Sequence, residues 1–162
     1  MYRERRKDGS LCEPAVFLKT ASDEAAAQFS ADGHYVVYVS DESGRNEVYV
    51  RDFPSAANKW QISANGGIAP RWRPDGKEIF FVEQPRLMAV RVTTRPVFSC
   101  GAPARLFESR YLRSVSASGV NVYPQYDVSS DSKRFVILDR PAGEQPLSIH
   151  VVHNWFEEFR GK

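Results

Sequence analysis

The residues able to do chemistry are sparse and badly placed for doing it together. His150 and His153 lie three apart in a stretch of strand composition, which puts them on opposite faces and does not favour a shared metal. His34 opens another such stretch directly after a turn and reads as a surface or edge residue. Ser116-Ala117-Ser118-Gly119 lacks the G-x-S-x-G order of a nucleophile elbow and reads as loop. Glu157 and Glu158 are adjacent and would diverge on a helix, so they do not form an acid–base pair. Asp41 to Glu47 sets acidic residues around a glycine without the alternating order of a calcium loop, and reads as a solvated turn. Cys12 and Cys100 have neither close spacing nor a metal-ligand pattern and read as free thiols rather than a disulfide. The expectation is a chain without catalytic, metal or cofactor residues.

Charge and composition narrow the class. A net charge of +2 is too small to imply nucleic acid or an acidic membrane surface. Arg71-Trp72-Arg73 and the Arg3/Arg5/Arg6/Lys7 run mix basic with aromatic residues, but acidic residues are interspersed along the rest of the chain. The 42% hydrophobic content can fill a core, and no apolar run is long enough to span a bilayer. The charged start, Met1 to Lys7, lacks the apolar centre of a signal peptide, so the compartment stays open.

The elements that would position any site come from a repeat. Phe29 to Asp52, FSADGHYVVYVSDESGRNEVYVRD, contains a turn, a strand, a second turn and a second strand. Ala31-Asp32-Gly33 is a tight-turn signal, because Asp can bond its own downstream backbone and Gly accepts positive φ. His34 to Val39 is β-branched and aromatic, and apart from His34 it is apolar on both faces, so both need cover. Trp72 to Val82 repeats this unit, and Val128 to Leu138 repeats it more weakly, with Ser132 where the glycine stood. The marker residues Asp32, Asp75 and Asp131 recur near the period of roughly 40–45 residues of a β-propeller blade, the second interval being longer. Blades stack face to face, which is what a doubly apolar sheet requires.

The spacing predicts an all-β partial β-propeller of about three and a half four-stranded antiparallel blades forming one domain. An incomplete blade spans residues 1–20, and Thr20–Ala27 is a connection able to hold a single helical turn. Blade 27–63 has strands near Ala27–Phe29, His34–Val39, Glu47–Arg51 and Lys59–Ile62. Blade 69–108 has strands near Pro70–Trp72, Glu78–Val82, Leu87–Val92 and Ala104–Phe107. Residues 110–121 form a polar insertion before the last blade, 123–162, with strands near Tyr123–Val128, Arg134–Leu138 and Ser148–His153. Asn154 to Lys162 is amphipathic, suited to a last strand or a short helix on the blade edge. Trp72 shares a repeat position with Phe29 and Val128 and is expected in the core between blades. The preceding polar positions Arg71 and Asp127 suggest an inter-blade ion pair. A partial propeller leaves an apolar face at each end, involving Tyr35, Val37 and Phe81 if they are terminal, which invites a partner or self-association.

These segments resemble a known family. FSADGHYVVYVSDESGRNEVYVRDFP and WRPDGKEIFFVEQPRLMAVRV look like WD40-like PD40 repeats of TolB-type β-propellers. The order of segments is similar to the C-terminal propeller end of bacterial serine/threonine protein kinases. The family implies about six blades, of which this chain resembles roughly the last half. It also implies that inter-blade connections and second-to-third-strand loops share one rim, where binding residues concentrate. The candidates there are Arg110, Tyr111, Arg113 and Asn121, with Asp41, Arg45 and Arg86 on the shorter loops. The implied role is a non-catalytic module recognising a protein or peptide, binding no nucleic acid and inserting in no membrane. The rival roles are a ligand sensor on a kinase and a substrate gate of a prolyl-oligopeptidase-like hydrolase. Propellers of this kind are often extracytoplasmic.

Overall fold

Twelve strands carry the fold in a computed structural model that describes residues 1–112, 126–139 and 148–153. The first blade is β1 (Glu24–Phe29), β2 (Tyr35–Ser40), β3 (Glu47–Asp52) and β4 (Lys59–Gln61), antiparallel in that order. The second is β5 (Ile68–Trp72), β6 (Glu78–Glu83), β7 (Arg86–Thr93) and β9 (Ala104–Glu108), with the two-residue β8 (Ser99–Cys100) pairing the far end of β7. The third holds β10 (Tyr126–Val128), β11 (Arg134–Asp139) and β12 (Ser148–His153), where His150 and His153 stand in register with Ile137 and Arg134. The fold is an all-β stack of propeller blades, as the repeat implies.

One turn is built three times. In the first copy Gly33 N donates to Ser30 O at 2.9 Å and Ser30 N to Tyr35 O at 2.9 Å. Arg73, Gly76 and Glu78 repeat the pattern, as do Ser129, Ser132 and Arg134. The repeated aspartate acts alike in each copy. Its Oδ1 accepts the backbone N–H two residues on, from His34 at 3.2 Å, Lys77 at 3.0 Å and Lys133 at 3.1 Å. Gly33 and Gly76 adopt φ of 71° and 73°, and Ser132 is held at 58° in the same place. The weak third copy is therefore the same turn, with a left-handed serine.

The doubly apolar strands are explained by stacking. Ile79 and Phe81 of β6, with Met88 and Val90 of β7, meet Val37, Val39, Val48 and Val50 of the first blade. Phe80 and Val82, with Leu87 and Ala89, meet Tyr126, Phe135 and Ile137 of the third. Trp72 lies in the first of these interfaces, 4% exposed, and Gln28 Oε1 accepts from Trp72 N at 2.9 Å. Tyr126 Oη donates to Ala69 O at 3.0 Å across the other interface.

Several details depart from expectation. Residues 20–27 form no helical turn; β1 already begins at Glu24, with a bulge between Ala25 and Gln28. Arg71 and Asp127 form no ion pair: Asp127 Oδ1 accepts from Val128 N instead, while Gln28 and Tyr126 bond across the two interfaces. Tyr35, Val37 and Phe81 are not on an open end but lie between the first two blades. The outward face of the first blade is covered within the chain, since Val36, Tyr38 and Tyr49 are buried. Residues 1–17 form no strand and pair at the isolated bridges Tyr2–Ala15 and Arg5–Leu11. They reach this face through Tyr2 and Phe17, which pack on Phe53 at 4.7 and 5.4 Å between ring centres. Phe29, the counterpart of Trp72, stays 49% exposed and touches the same Phe53 ring, because no full blade lies over it. At the other end of the stack Leu138 is exposed. Cys12 and Cys100 are free thiols. The amphipathic stretch 154–162, Ser116 to Gly119 and the paired Glu157 and Glu158 lie outside the described residues.

A clasp between blades is a feature that no local pattern announces. The connection after β7 leaves the second blade and inserts Phe98, 3% exposed, between Tyr35 and Trp60 of the first, at ring distances of 5.2 and 4.8 Å. Tyr35 Oη donates to Thr94 O at 3.2 Å and holds the start of this crossing.

Two outcomes follow from the turns. A Cβ at Gly33 would meet nothing within 4 Å, so Gly33→Ala costs only the left-handed backbone penalty, about 1–2 kcal/mol in a urea melt. An unchanged midpoint would show that the turn relaxes. Burial works against the charge of Asp32, but hydrogen bonds from Ser30, His34 N and Thr94 outweigh it and hold its carboxyl below the ordinary range. Asp131 is held low by Ser129 and then Lys133 N, and Asp52, against burial, by Ser55 and Asn58 N. Folded values below unfolded ones give stabilisation that is complete above about pH 4 and is lost as pH falls through the lower folded values. The melting temperature should drop on that acid limb, less steeply in Asp32→Asn; equal slopes would remove Asp32 from the account.

Candidate functional site

The strands alternate in direction, so the β2–β3 and β6–β7 loops share an end of the stack with the blade-to-blade connections. This is the rim that holds the predicted binding residues, and its loops are tied to one another. The central tie is Glu47, 1% exposed at the start of β3. Its carboxylate accepts from Arg45 Nε at 2.7 Å, from Gly66 N at 2.9 Å and from the Ser63 hydroxyl. Ser63 Oγ in turn accepts from Val48 N at 2.8 Å, Gly67 N donates to Asn46 O at 2.9 Å, and Arg45 Nη2 donates to Ala64 O. Glu47 is thus a buried anchor rather than part of a solvated turn. Gly67 completes the packing: a Cβ there would stand 2.6 Å from Ser63 Oγ and 2.9 Å from Val48 Cγ2, closer than real contacts allow.

The predicted residues divide by their roles. Asp41 Oδ1 accepts from Asp23 N at 2.9 Å and fixes the entry to β1. Arg45 is spent on Glu47 and Ala64, although its side chain is 58% exposed. Arg86 sits between two cross-strand carboxylates, 3.2 Å from Glu83 and 3.9 Å from Glu108. Ser109 N donates to Pro85 O at 3.0 Å, which sets the next connection against this loop. Arg110 follows, its guanidinium 4.7 Å from the centre of the Tyr111 ring and bonded to the Tyr111 hydroxyl. Leu112 is fully buried and pins the pair to the core. Arg113 and Asn121 lie outside the described residues. The structure therefore joins Asp41 and Arg45 to one tied loop cluster and places Arg86, Arg110 and Tyr111 in the adjacent one.

Sequence reasoning did not select the opposite end. There the β5–β6 turn and the β7–β8 crossing bring Arg73, Lys77, Arg91 and Arg95 to one groove. The available signal was Arg91-Val92-Thr93-Thr94-Arg95, two cations around hydroxyls where β7 runs past its partner and ends. Among the described residues no group of three His, Cys, Asp or Glu side chains is arranged to hold a metal ion.

No protein-family model and no curated protein matches the chain. Among solved structures it is similar to TolB from Acinetobacter baumannii, at 16% identity over 94% of this chain and 46% of that one, with a TM-score of 0.43. It is similar also to an oligogalacturonate lyase in complex with manganese, at 20% identity over 68% of this chain and 27% of that one, with a TM-score of 0.48. An oligogalacturonate lyase from Vibrio parahaemolyticus stands at 16% identity over 68% of this chain and 27% of that one, with a TM-score of 0.45. The chain spans less than half the length of each of these proteins.

The Glu47 network is expected to hold the rim. Glu47→Ala strands the Ser63 and Gly66 donors and should cost about 2–3 kcal/mol by urea denaturation, while Glu47→Gln keeps an acceptor and should lose about 1 kcal/mol. A Glu47→Ala loss under about 0.5 kcal/mol would mean that the loops are held by something else.

Proposed function

We infer that this chain is a non-catalytic interaction module that recognises a protein or peptide through the loops at one end of its blades. The observation that carries this reading is the combination at the rim of tied loops with a stacked Arg110–Tyr111 pair at their exposed margin. Loops already fixed by Glu47, Asp41 and the Ser109–Pro85 bond lose little conformational freedom when a partner docks. Arginine and tyrosine are the residue types enriched where binding energy concentrates, and Tyr111 presents a rigid ring with few torsions to freeze. The resemblance to propellers carried by kinases supplies the context of this proposal, in which the module serves a larger protein.

The test is affinity capture with the wild-type chain beside Tyr111→Ala and Arg110→Ala, each checked for an unchanged melting temperature. Partners held by the wild type and weakened about tenfold or more by either variant fit a rim hot spot. Partners retained equally by all three chains, or turnover of a peptide or glycoside panel by the wild type, would overturn the reading.

A further inference from the structure

At the end of the blades away from the rim, the β5–β6 turn and the end of β7 enclose an open groove of about 680 Å³. Its walls are Arg73, Asp75, Lys77 and Glu78 on one side and Arg91, Thr93, Thr94 and Arg95 on the other. The charge of Arg73 is cancelled locally. Its Nη1 lies 2.8 Å from Glu78 and its Nε 3.3 Å from Asp75 Oδ1. That Nε is nevertheless a buried donor without a hydrogen-bonded acceptor, since its approach to Asp75 is poorly aligned. Lys77, Arg91 and Arg95 are exposed and, among the described residues, pair with no carboxylate. Several other cations on the blades do find one: Arg45 has Glu47, Lys59 has Glu42 and Arg86 has Glu83.

The groove is also built rather than incidental. Its two walls hang from the twice-anchored turn at Gly76 and from the crossing that Tyr35 and Phe98 clamp to the first blade. The backbone that carries these cations is therefore tied down, so that binding has only their side chains left to order around a ligand.

We propose that this groove binds an acidic segment of a protein partner, with the side-chain carboxylates of the segment pairing with Lys77, Arg91 and Arg95. The chemistry separates this occupant from a nucleic acid. A polyphosphate strand would pass the carboxylates of Asp75 and Glu78, and among the described residues the groove is lined by no aromatic ring on which a base could stack. Glutamates or aspartates spaced along a peptide can meet the three cations and leave those two carboxylates to Arg73, while the Thr93 hydroxyl serves the peptide backbone. The proposal rests on the reading of the chain as an interaction module but not on the rim, which lies at the other end of the blades.

The experiment is fluorescence anisotropy with a short labelled peptide carrying glutamate at alternate positions, beside its glutamine counterpart and a single-stranded oligonucleotide. The glutamate peptide is expected to bind the wild-type chain, to weaken as salt is raised, and to lose about tenfold or more with Arg91→Glu/Arg95→Glu. Lys77→Gln/Arg91→Gln, which adds no repulsion and leaves the core untouched, should lose severalfold. Tyr111→Ala should bind the peptide like the wild type, so a failure of the rim reading and a failure of this one are separately visible. No binding by the wild type, equal binding of the glutamine peptide, or affinity unchanged in both groove variants would overturn the proposal. Tighter binding of the oligonucleotide than of the glutamate peptide would overturn the assignment of a protein partner.

Discussion

The structure depends on one constraint, that the middle sheet has no wet face. β6 sends Ile79 and Phe81 to one neighbour and Phe80 and Val82 to the other, and these four side chains are at most 4% exposed. Each such residue contributes roughly 1.5–3 kcal/mol only while a second sheet covers it. A single blade could not bury both sets, so its stability belongs to the stack. Because neighbouring sheets supply each other's cover, the strands can read as near-continuous apolar runs, and the polar work of folding is left to the turns and connections.

That division of labour explains what could be read in advance. The turns were legible because Asp32, Asp75 and Asp131 act locally, each bonding a backbone N–H two residues away. The strands were legible because Val, Ile, Phe and Tyr runs between such turns have few other uses. What stayed hidden depends on distant chain. Phe98 sits in a Pro-containing connection, and nothing in its own segment says that it will enter the space between Tyr35 and Trp60. Glu47 follows a glycine turn rich in polar residues, so solvent exposure was the natural expectation. Its burial depends on Ser63 and Gly66, which only the closing of β4 onto β3 brings near. The paired polar positions Arg71 and Asp127 had the right charges, yet Asp127 found a closer donor in Val128 N.

The candidate site shows the same limit from the functional side. Placing Asp41 and Arg45 on a common rim is what the resemblance implies, and the alternation of the strands gives its physical reason. Their use does not follow from either, because a charged residue on a loop looks the same in sequence whether it faces a ligand or tethers a neighbour. Arg45 is more than half exposed and still commits its guanidinium to Glu47 and Ala64 O. Exposure by itself therefore does not mark a binding residue on this rim; what matters is whether the donors are already spent.

That criterion separates the two ends of the stack. Stacking consumes the faces of the central sheet, so loops at the strand ends are the surface on which a rigid recognition site can be built. At the rim the charged residues largely answer one another, Arg45 with Glu47 and Arg86 with Glu83 and Glu108, and the charge left for a partner is small. Contact there would draw on the ring and guanidinium of the stacked Arg110–Tyr111 pair. In the groove at the opposite end Arg73 is neutralised by Asp75 and Glu78, and the positive charge of Lys77, Arg91 and Arg95 is, among the described residues, left standing on a frame fixed by the inter-blade clasp. Shape and packing would dominate recognition at the first end and charge at the second, so the salt dependence of a partner's binding reports which end of the blades it occupies.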